Sequence, residues 1–394
     1  MRIDTSSPPH PSPVVILGGG PTGLIAAALL GAQNIDVTLV APPAPDDPRT
    51  TALMAGSLQV LATIGIWPAL SGRAAPLRHL RMVDATRRLF RAPEVTFHAA
   101  EVGLEAFGWN IPNVELTGAL RERIAAMPSI RTLSTKAAAV TPDEDGVRIA
   151  LEGGEQLYAR LVIAADGRRS LSREAAGVDS RCWQYRQAAL ALSLRHDRPH
   201  NDTSTEFHTE SGPFTLVPLP GNRSSLVAGL RPDDAERLKA LDADALGAEL
   251  TTRSHNILGR LEPDGPCGVF PLGASVVTQF GARRIALVGE AAHLLPPIGA
   301  QGLNLGVRDA EAIATVAAQA IRLGADPGKP AVLSAYGSAR RRDVWPRTIA
   351  VDALNRSLLA GFIPSDMARG LGLRLIAGIA PIRKFAMRAG IGAR

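Results

Sequence analysis

One turn near the N-terminus limits the fold more than any other feature of this chain. Val14–Leu17 is a short apolar run, and Gly18-Gly19-Gly20-Pro21-Thr22-Gly23 follows at once. Leu24–Leu30 continues as an Ala/Leu-rich helix, and Asp36–Val40 reads as the next strand. A G-x-G-x-x-G between a strand and a helix commits this segment to a parallel βαβ unit that binds a dinucleotide. The first glycine permits the tight turn, the second lets a pyrophosphate approach the backbone, and the third lets helix and strand pack closely. An ordinary βα turn is the alternative reading. Such folds usually place an acid at the end of the second strand to hold the adenosine ribose. Here the strand ends Leu39-Val40-Ala41-Pro42-Pro43, and only Asp46 and Asp47 follow, on a proline-rich loop.

Two further runs carry the same kind of signal. Leu161–Gly167 (LVIAADG) reads as a buried strand ending in Asp166-Gly167, after a hairpin made of Val147–Leu151 and Gln156–Leu161. Asp166 either accepts a ligand hydroxyl or caps the helix that follows Ser170. Leu287–Asp309 (LVGEAAHLLPPIGAQGLNLGVRD) begins as the end of the apolar strand Ile285–Val288, with Glu290 just past it. An irregular proline- and glycine-bearing loop leads to an amphipathic helix starting near Gly302. A helix start carries unpaired N–H groups and roughly half a positive charge, so this one suits an electron-rich ring or an anion.

In order and spacing, GGGPTG at 18–23, ADG at 165–167 and GEAAHLLPPIGAQGLN at 289–304 resemble the group A FAD-dependent monooxygenases, the para-hydroxybenzoate hydroxylase-like enzymes. Within them the chain is most similar to the ubiquinone-biosynthesis flavin hydroxylases of alphaproteobacteria. The resemblance includes Arg49-Thr50-Thr51-Ala52-Leu53 and the stretch after Val351. It implies that Gly18, Gly20 and Gly23 hold the FAD pyrophosphate, and that Arg49 and Asn113 lie beside the cofactor. Asp166 and Gly167 would back it, with Asp166 also serving nicotinamide-nucleotide use. Glu290 would take the place of the usual ribityl-gripping Asp, a departure of one methylene. Pro296, Pro297 and Gly299 would line the isoalloxazine and substrate rings, and Gln301, Gly302 and Asn304 would direct backbone N–H groups at flavin N1 and O2. NADH or NADPH would reduce FAD, and O2 would add to give a C4a-hydroperoxide that oxidises an electron-rich phenol. No protein side chain is expected to act as a catalytic nucleophile. The expected substrate is a polyprenylated phenol. A soluble phenol and a non-catalytic flavin-fold assembly component are the alternatives. A halogenase would carry a W-x-W-x-I-P motif, whereas only Trp109-Asn110-Ile111-Pro112 occurs, in a different place.

The expected fold is α/β: a discontinuous Rossmann-like FAD-binding domain (14–77, 108–187, 281–350), a mostly antiparallel β-sheet substrate domain (78–107, 188–280) and a C-terminal helical segment (351–394). Strands are expected at Leu80–Val83, Phe90–His98 and across Ala188–Leu230, with Val269–Leu272 as the last of the cover sheet. Helices are expected at Leu116–Ala126 and Asp242–Ser254. The 394 residues are 46% hydrophobic and only 4% aromatic, so aliphatic side chains must fill the core. Net charge is +6, but the arginines are dispersed without interleaved aromatics, which argues against nucleic acid. His293 reads as a packing or structural residue, and the other histidines lack metal-ligand spacing. Cys182 and Cys267 read as reduced thiols. Met1–Pro13 lacks the apolar core of a signal peptide, and no run reaches the ~18 apolar residues of a spanning helix. A cytoplasmic enzyme is expected, either free or peripheral on the inner membrane. Leu354–Ile391 alternates apolar residues with Arg369, Arg374, Arg383, Lys384 and Arg388. That pattern suits a cap on the FAD domain or docking on a membrane or another quinone-biosynthesis enzyme.

Overall fold

A computed structural model describes residues 12–43, 47–86, 93–359 and 380–391. The expected turn is built as read. Ser12–Leu17 is a strand, Pro21–Gly31 a helix, and Val37–Val40 a strand parallel to the first. Val14–Leu17 and Val37–Val40 are buried on both faces, which explains why, Thr38 apart, their sequence is apolar instead of alternating.

Five parallel strands run in the spatial order Ile285–Leu287, Gln156–Ala164, Ser12–Leu17, Val37–Val40 and Ile130–Leu133. The chain starts in the middle, builds outward on one side, then returns to build on the other. The reversal falls between Ser12–Leu17 and Gln156–Ala164, and at such a switch point the loops diverge and leave a crevice beyond the carboxyl ends of the strands. Leu17 pairs with Ala164 and Ala164 with Leu287. Gly18, Ala165 and Val288 therefore leave the sheet side by side. Three runs far apart in sequence end at one edge of one sheet.

The crevice is covered by a nine-stranded sheet. In spatial order its strands are His293–Leu294, Gly268–Val277, Ser180–His196, Arg223–Leu230, Gly212–Leu219, Thr203–Thr209, His79–Asp84 and Val95–His98. Leu261–Pro263 joins beside Ser180–His196. Only Thr203–Thr209 and His79–Asp84 pair in parallel. Its inner residues, among them Leu190, Leu194, Phe207, Leu216 and Leu226, form a core of their own. A small sheet of Thr50–Met54, Gly108–Pro112 and Ala75–Pro76 lies between the two large ones, joined to the cover by a Thr50–Ser225 hydroxyl contact of 2.8 Å.

Several details differ from the reading. The long strand begins at Ser180, eight residues before the expected start at Ala188, and shifts register between Gln184 and Ala188. Gly268–Val277 is not the last strand of the cover, because His293–Leu294 pairs onto it. The loop after Glu290 thus stitches the two large sheets together. The first part of the expected strand Phe90–His98 (90–92) and much of the C-terminal segment (360–379 and 392–394) lie outside the described residues. No helix among the described residues is long and apolar enough to cross a membrane.

Gly18 is the tightest point of this arrangement. It sits at φ +117, and a Cβ there would overlap the carbonyl oxygen of Ala165 on the neighbouring strand. Gly18→Ala is expected to cost about 1–3 kcal/mol for backbone strain alone, with the overlap added. Urea unfolding of the purified variant measures the loss, and an unchanged midpoint would refute this account of the turn.

Candidate active site

A cavity of about 1110 Å³ opens at the switch point, between the edge of the parallel sheet and the cover. The starts of two helices face it. Pro21, Thr22 and Gly23 line it from the first, and Gln301, Gly302 and Leu303 from the helix Gln301–Arg322. Each presents unpaired N–H groups and partial positive charge to one space. Thr22 lies between the two helices, close enough to Gly289 and Gly306 that a Cβ at either would press on it.

The turn before the second helix is strained. Gly299 and Ala300 take left-handed backbone angles, φ +62 and +53. For alanine this conformation is unfavourable and persists only where neighbours enforce it. The enforcing residue is Asn304, whose Oδ1 accepts from the Met54 N–H at 2.9 Å and from the Ser57 hydroxyl at 2.7 Å. Its Nδ2 donates to Ala52 O at 2.8 Å and Ala300 O at 2.6 Å. All four side-chain bonds are spent inside the protein.

Behind the loop lies a chain of buried and part-buried charges. Asp309, fully buried, accepts from the Gly289 N–H at 2.9 Å, from His293 Nε2 at 2.6 Å and from Arg340 Nε at 2.6 Å. Burial alone would raise its carboxyl pKa. His293 and Arg340 outweigh that and hold it below the usual range. Arg340 also meets Asp343, which takes Arg308 and Arg347 as further partners. Despite burial, these arginines keep Asp343 at about 2. Arg347 reaches Gln301 Oε1 at 3.3 Å. Two residues of the cavity wall, His293 and Gln301, are thereby tied through one ionic chain. His293 Nδ1 is buried and without a hydrogen-bond partner.

A second cluster forms another part of the wall. Arg49 donates to Asp47 at 2.8 and 2.7 Å, Asn113 Nδ2 donates to Asp47 at 2.8 Å, and the Thr51 hydroxyl donates to Asn113 Oδ1 at 2.5 Å. Burial pushes the Asp47 carboxyl up, but Arg49 and Asn113 bring it below its ordinary value. The Arg49 guanidinium lies 5.3 Å from the Phe270 ring centroid.

Of the residues singled out in the sequence, Gly20, Gly23, Arg49, Asn113, Gly167, Glu290, Pro297, Gly299, Gln301 and Gly302 line the cavity. Gly18, Asp166, Pro296 and Asn304 stand behind the wall. Asp166 accepts from the hydroxyls of Ser170 and Ser172 and from the Ser172 N–H, so it orders the turn into the next helix. Glu290 is half-exposed and pairs with Arg168 at 3.1 Å. Asp47 shares the wall, while Asp46 lies outside the described residues. The sequence reading gave no role to Asp309, Arg340 or Asp343. The one available signal was a carboxylate at Asp309 inside an otherwise apolar helix face. Among the described residues no His, Cys, Asp or Glu cluster could hold a metal. Cys182 and Cys267 are free, and burial raises the Cys267 thiol.

These residues fit a dinucleotide. Open space lies where a Gly20 Cβ would project, so a phosphate can approach the backbone there. Both helix starts favour negative charge, and an orphaned histidine nitrogen waits in the wall. The FAD-binding-domain family model matches residues 11–349. The chain belongs to the FAD-dependent monooxygenases. This monooxygenase is 35% identical to the ubiquinone hydroxylase UbiL of Rhodospirillum rubrum, across 98% of this chain and 91% of that protein. It is 30% identical to the 3-demethoxyubiquinol 3-hydroxylase of Escherichia coli, across 97% and 99%. Its fold matches the p-nitrophenol 4-monooxygenase PnpA of Pseudomonas putida with a TM-score of 0.80 at 20% identity, covering 97% and 98% of the two chains.

Two outcomes test the monooxygenase site. No atom lies within 4 Å of a Cβ built at Gly302, so Gly302→Asp adds charge without a clash. The variant should fold yet purify with little FAD absorbance, while Gly302→Ala stays yellow. Arg340→Met strands the Asp309 charge, which should cost about 3–5 kcal/mol, read by urea unfolding of the apoprotein.

Proposed function

We propose that this monooxygenase hydroxylates the ring of a polyprenylated phenol in ubiquinone biosynthesis, with NADH or NADPH as electron donor. The balance is phenol + NAD(P)H + H⁺ + O2 giving hydroxyphenol + NAD(P)⁺ + H2O. The observation that carries the reading is that one cavity is lined by two chemically different sets of residues. One set is backbone N–H groups, glycines and the Asp47–Arg49–Asn113 cluster. The other is apolar, with Leu192, Val217, Leu226 and Leu272 among its lining. The names of the relatives support the pathway.

Bound FAD supplies reduction by the nicotinamide and activation of O2, and the protein supplies position, electrostatics and dryness. In this reading Gly20, Gly23 and the helix start at Pro21 hold the pyrophosphate. Arg49 and Asn113 flank the cofactor, and Glu290, steadied by Arg168, accepts a ribityl hydroxyl. The helix start at Gln301–Gly302 favours negative charge at the N1–C2=O edge of a reduced flavin, as preorganised dipoles do. Pro297 and Gly299 face the ring end. The aliphatic wall of the cover keeps water from the reacting oxygen. With ring chemistry borne by the cofactor, no side chain needs to serve as nucleophile. The outer face of the described C-terminal helix Ala380–Ile391 exposes Lys384, Phe385 and Arg388, a basic and aromatic combination suited to an anionic membrane surface.

The test is nucleotide oxidation by the yellow holoenzyme. A prenylated phenol should stimulate NADH or NADPH consumption and appear with one added oxygen by mass spectrometry. Equal turnover of small soluble phenols, with no response to the prenylated one, would overturn the substrate assignment.

A further inference from the structure

The described C-terminal helix Ala380–Ile391 lies beyond the family-matched segment, which ends at residue 349, yet it reaches the cavity. Met387 is buried and stands in the cavity wall. With Met54, Leu80, Met82, Phe97 and Phe107 it forms an apolar patch of that wall, an annex beside Ala300, the residue that precedes the expected ring-facing helix start. Three of those six side chains are methionines, which are unbranched and adapt to irregular apolar shapes.

The helix is fastened with care. Arg383 donates to Glu101 through Nε at 2.6 Å and Nη2 at 2.7 Å, and to Thr96 O at 2.5 Å. Its guanidinium lies 4.8 Å from the Phe97 ring centroid. Bidentate charge-assisted pairs of this kind fix orientation as well as energy, and Arg383 holds the Glu101 carboxyl down at about 2. Met387 follows Arg383 by four residues and so shares its helix face. Glu101 and Thr96 belong to the same hairpin region as Phe97. One clasp thereby sets both walls of the annex. Two charged residues of the cavity lining flank this patch and are engaged elsewhere: Arg81 turns to Glu94 at 2.8 Å, and Glu206, paired beside Met82, meets His208 Nε2 at 2.9 Å.

We propose that this annex is a subsite for the aliphatic isoprenoid tail of the substrate, and that Met387 determines which tails it accepts. The inference rests on the phenol-hydroxylase reading and adds to it a place for the tail and a residue that selects it. A ring held beside Pro297 and Gly299 would send its tail past Ala300 into the annex, between the cover hairpin and the C-terminal helix. The ligand class is a branched, uncharged hydrocarbon chain, because the six lining side chains offer it no hydrogen bond.

The experiment compares wild type, Met387→Trp and Met387→Ala as holoenzymes on one phenol with and without a prenyl tail. Met387→Trp fills the annex, so the ratio of kcat/KM for tailed over tailless substrate should fall about 10-fold or more, mainly through KM. Met387→Ala, which only removes atoms, should shift preference toward bulkier tails. Unchanged ratios in both variants would overturn the proposal. Farnesol binding, followed by flavin fluorescence, separates the two readings. Wild type that binds farnesol more tightly than Met387→Trp supports the annex even if no phenol turns over, whereas wild type that hydroxylates a tailed phenol yet binds farnesol no better than the variant sinks it.

Discussion

The site depends on one buried carboxylate. Asp309 sits two turns into the long helix and holds three partners from elsewhere: the Gly289 N–H, the His293 ring and the Arg340 guanidinium. An unpaired charge at that depth would not survive. Each partner fixes a different element: the end of a parallel strand, the strand that joins the cover sheet, and the following long helix. Since a carboxylate only accepts, His293 donates to it from Nε2, which fixes the ring's orientation as well as its place. The loop 289–300 faces the cavity with both ends already tied down, so little ordering is left for the moment a ligand arrives.

That arrangement explains how strain is tolerated at Ala300. A left-handed alanine before a helix start would relax if the loop were free. Asn304 holds it from one side and the Asp309 chain, through Arg347 and Gln301, from the other. The result is a helix start whose N–H groups point into the cavity before any ligand binds. Electrostatic stabilisation works best when donors need no reorganisation.

Much of this was legible because the three sequence runs are local signals. Each is an apolar strand with a glycine just past its end, and a parallel sheet places such ends together. The helix at Gln301 was placed within a residue for the same reason: its amphipathic period is written locally. The ion chain was not legible. Arg340 and Asp343 lie on a helix rich in charge, where most side chains meet solvent, and only packing against the preceding helix buries Arg340 and partly covers Asp343. Met387 escaped for a related reason. The C-terminal pattern announced an amphipathic helix but not which wall it would close. The early start of the cover strand at Ser180 is a bulge effect, since residues on either side of the register shift pair with different parts of Gly268–Val277.

The seam between the sheets decides how the two linings of the cavity communicate. His293 pairs through its backbone with Val276 of the cover while its ring is bound to Asp309 under the parallel sheet. Thr50, at the start of the strand whose Met54 end Asn304 braces, touches Ser225 of the cover. A shift of the cover would therefore move the loop at Pro297 and the strand bearing Arg49 together. The polar and the apolar linings cannot be adjusted separately. A ligand that fits one part of the cavity fixes its distance to the rest, so two bound groups would be held in a set relation, the geometric condition for reaction between them.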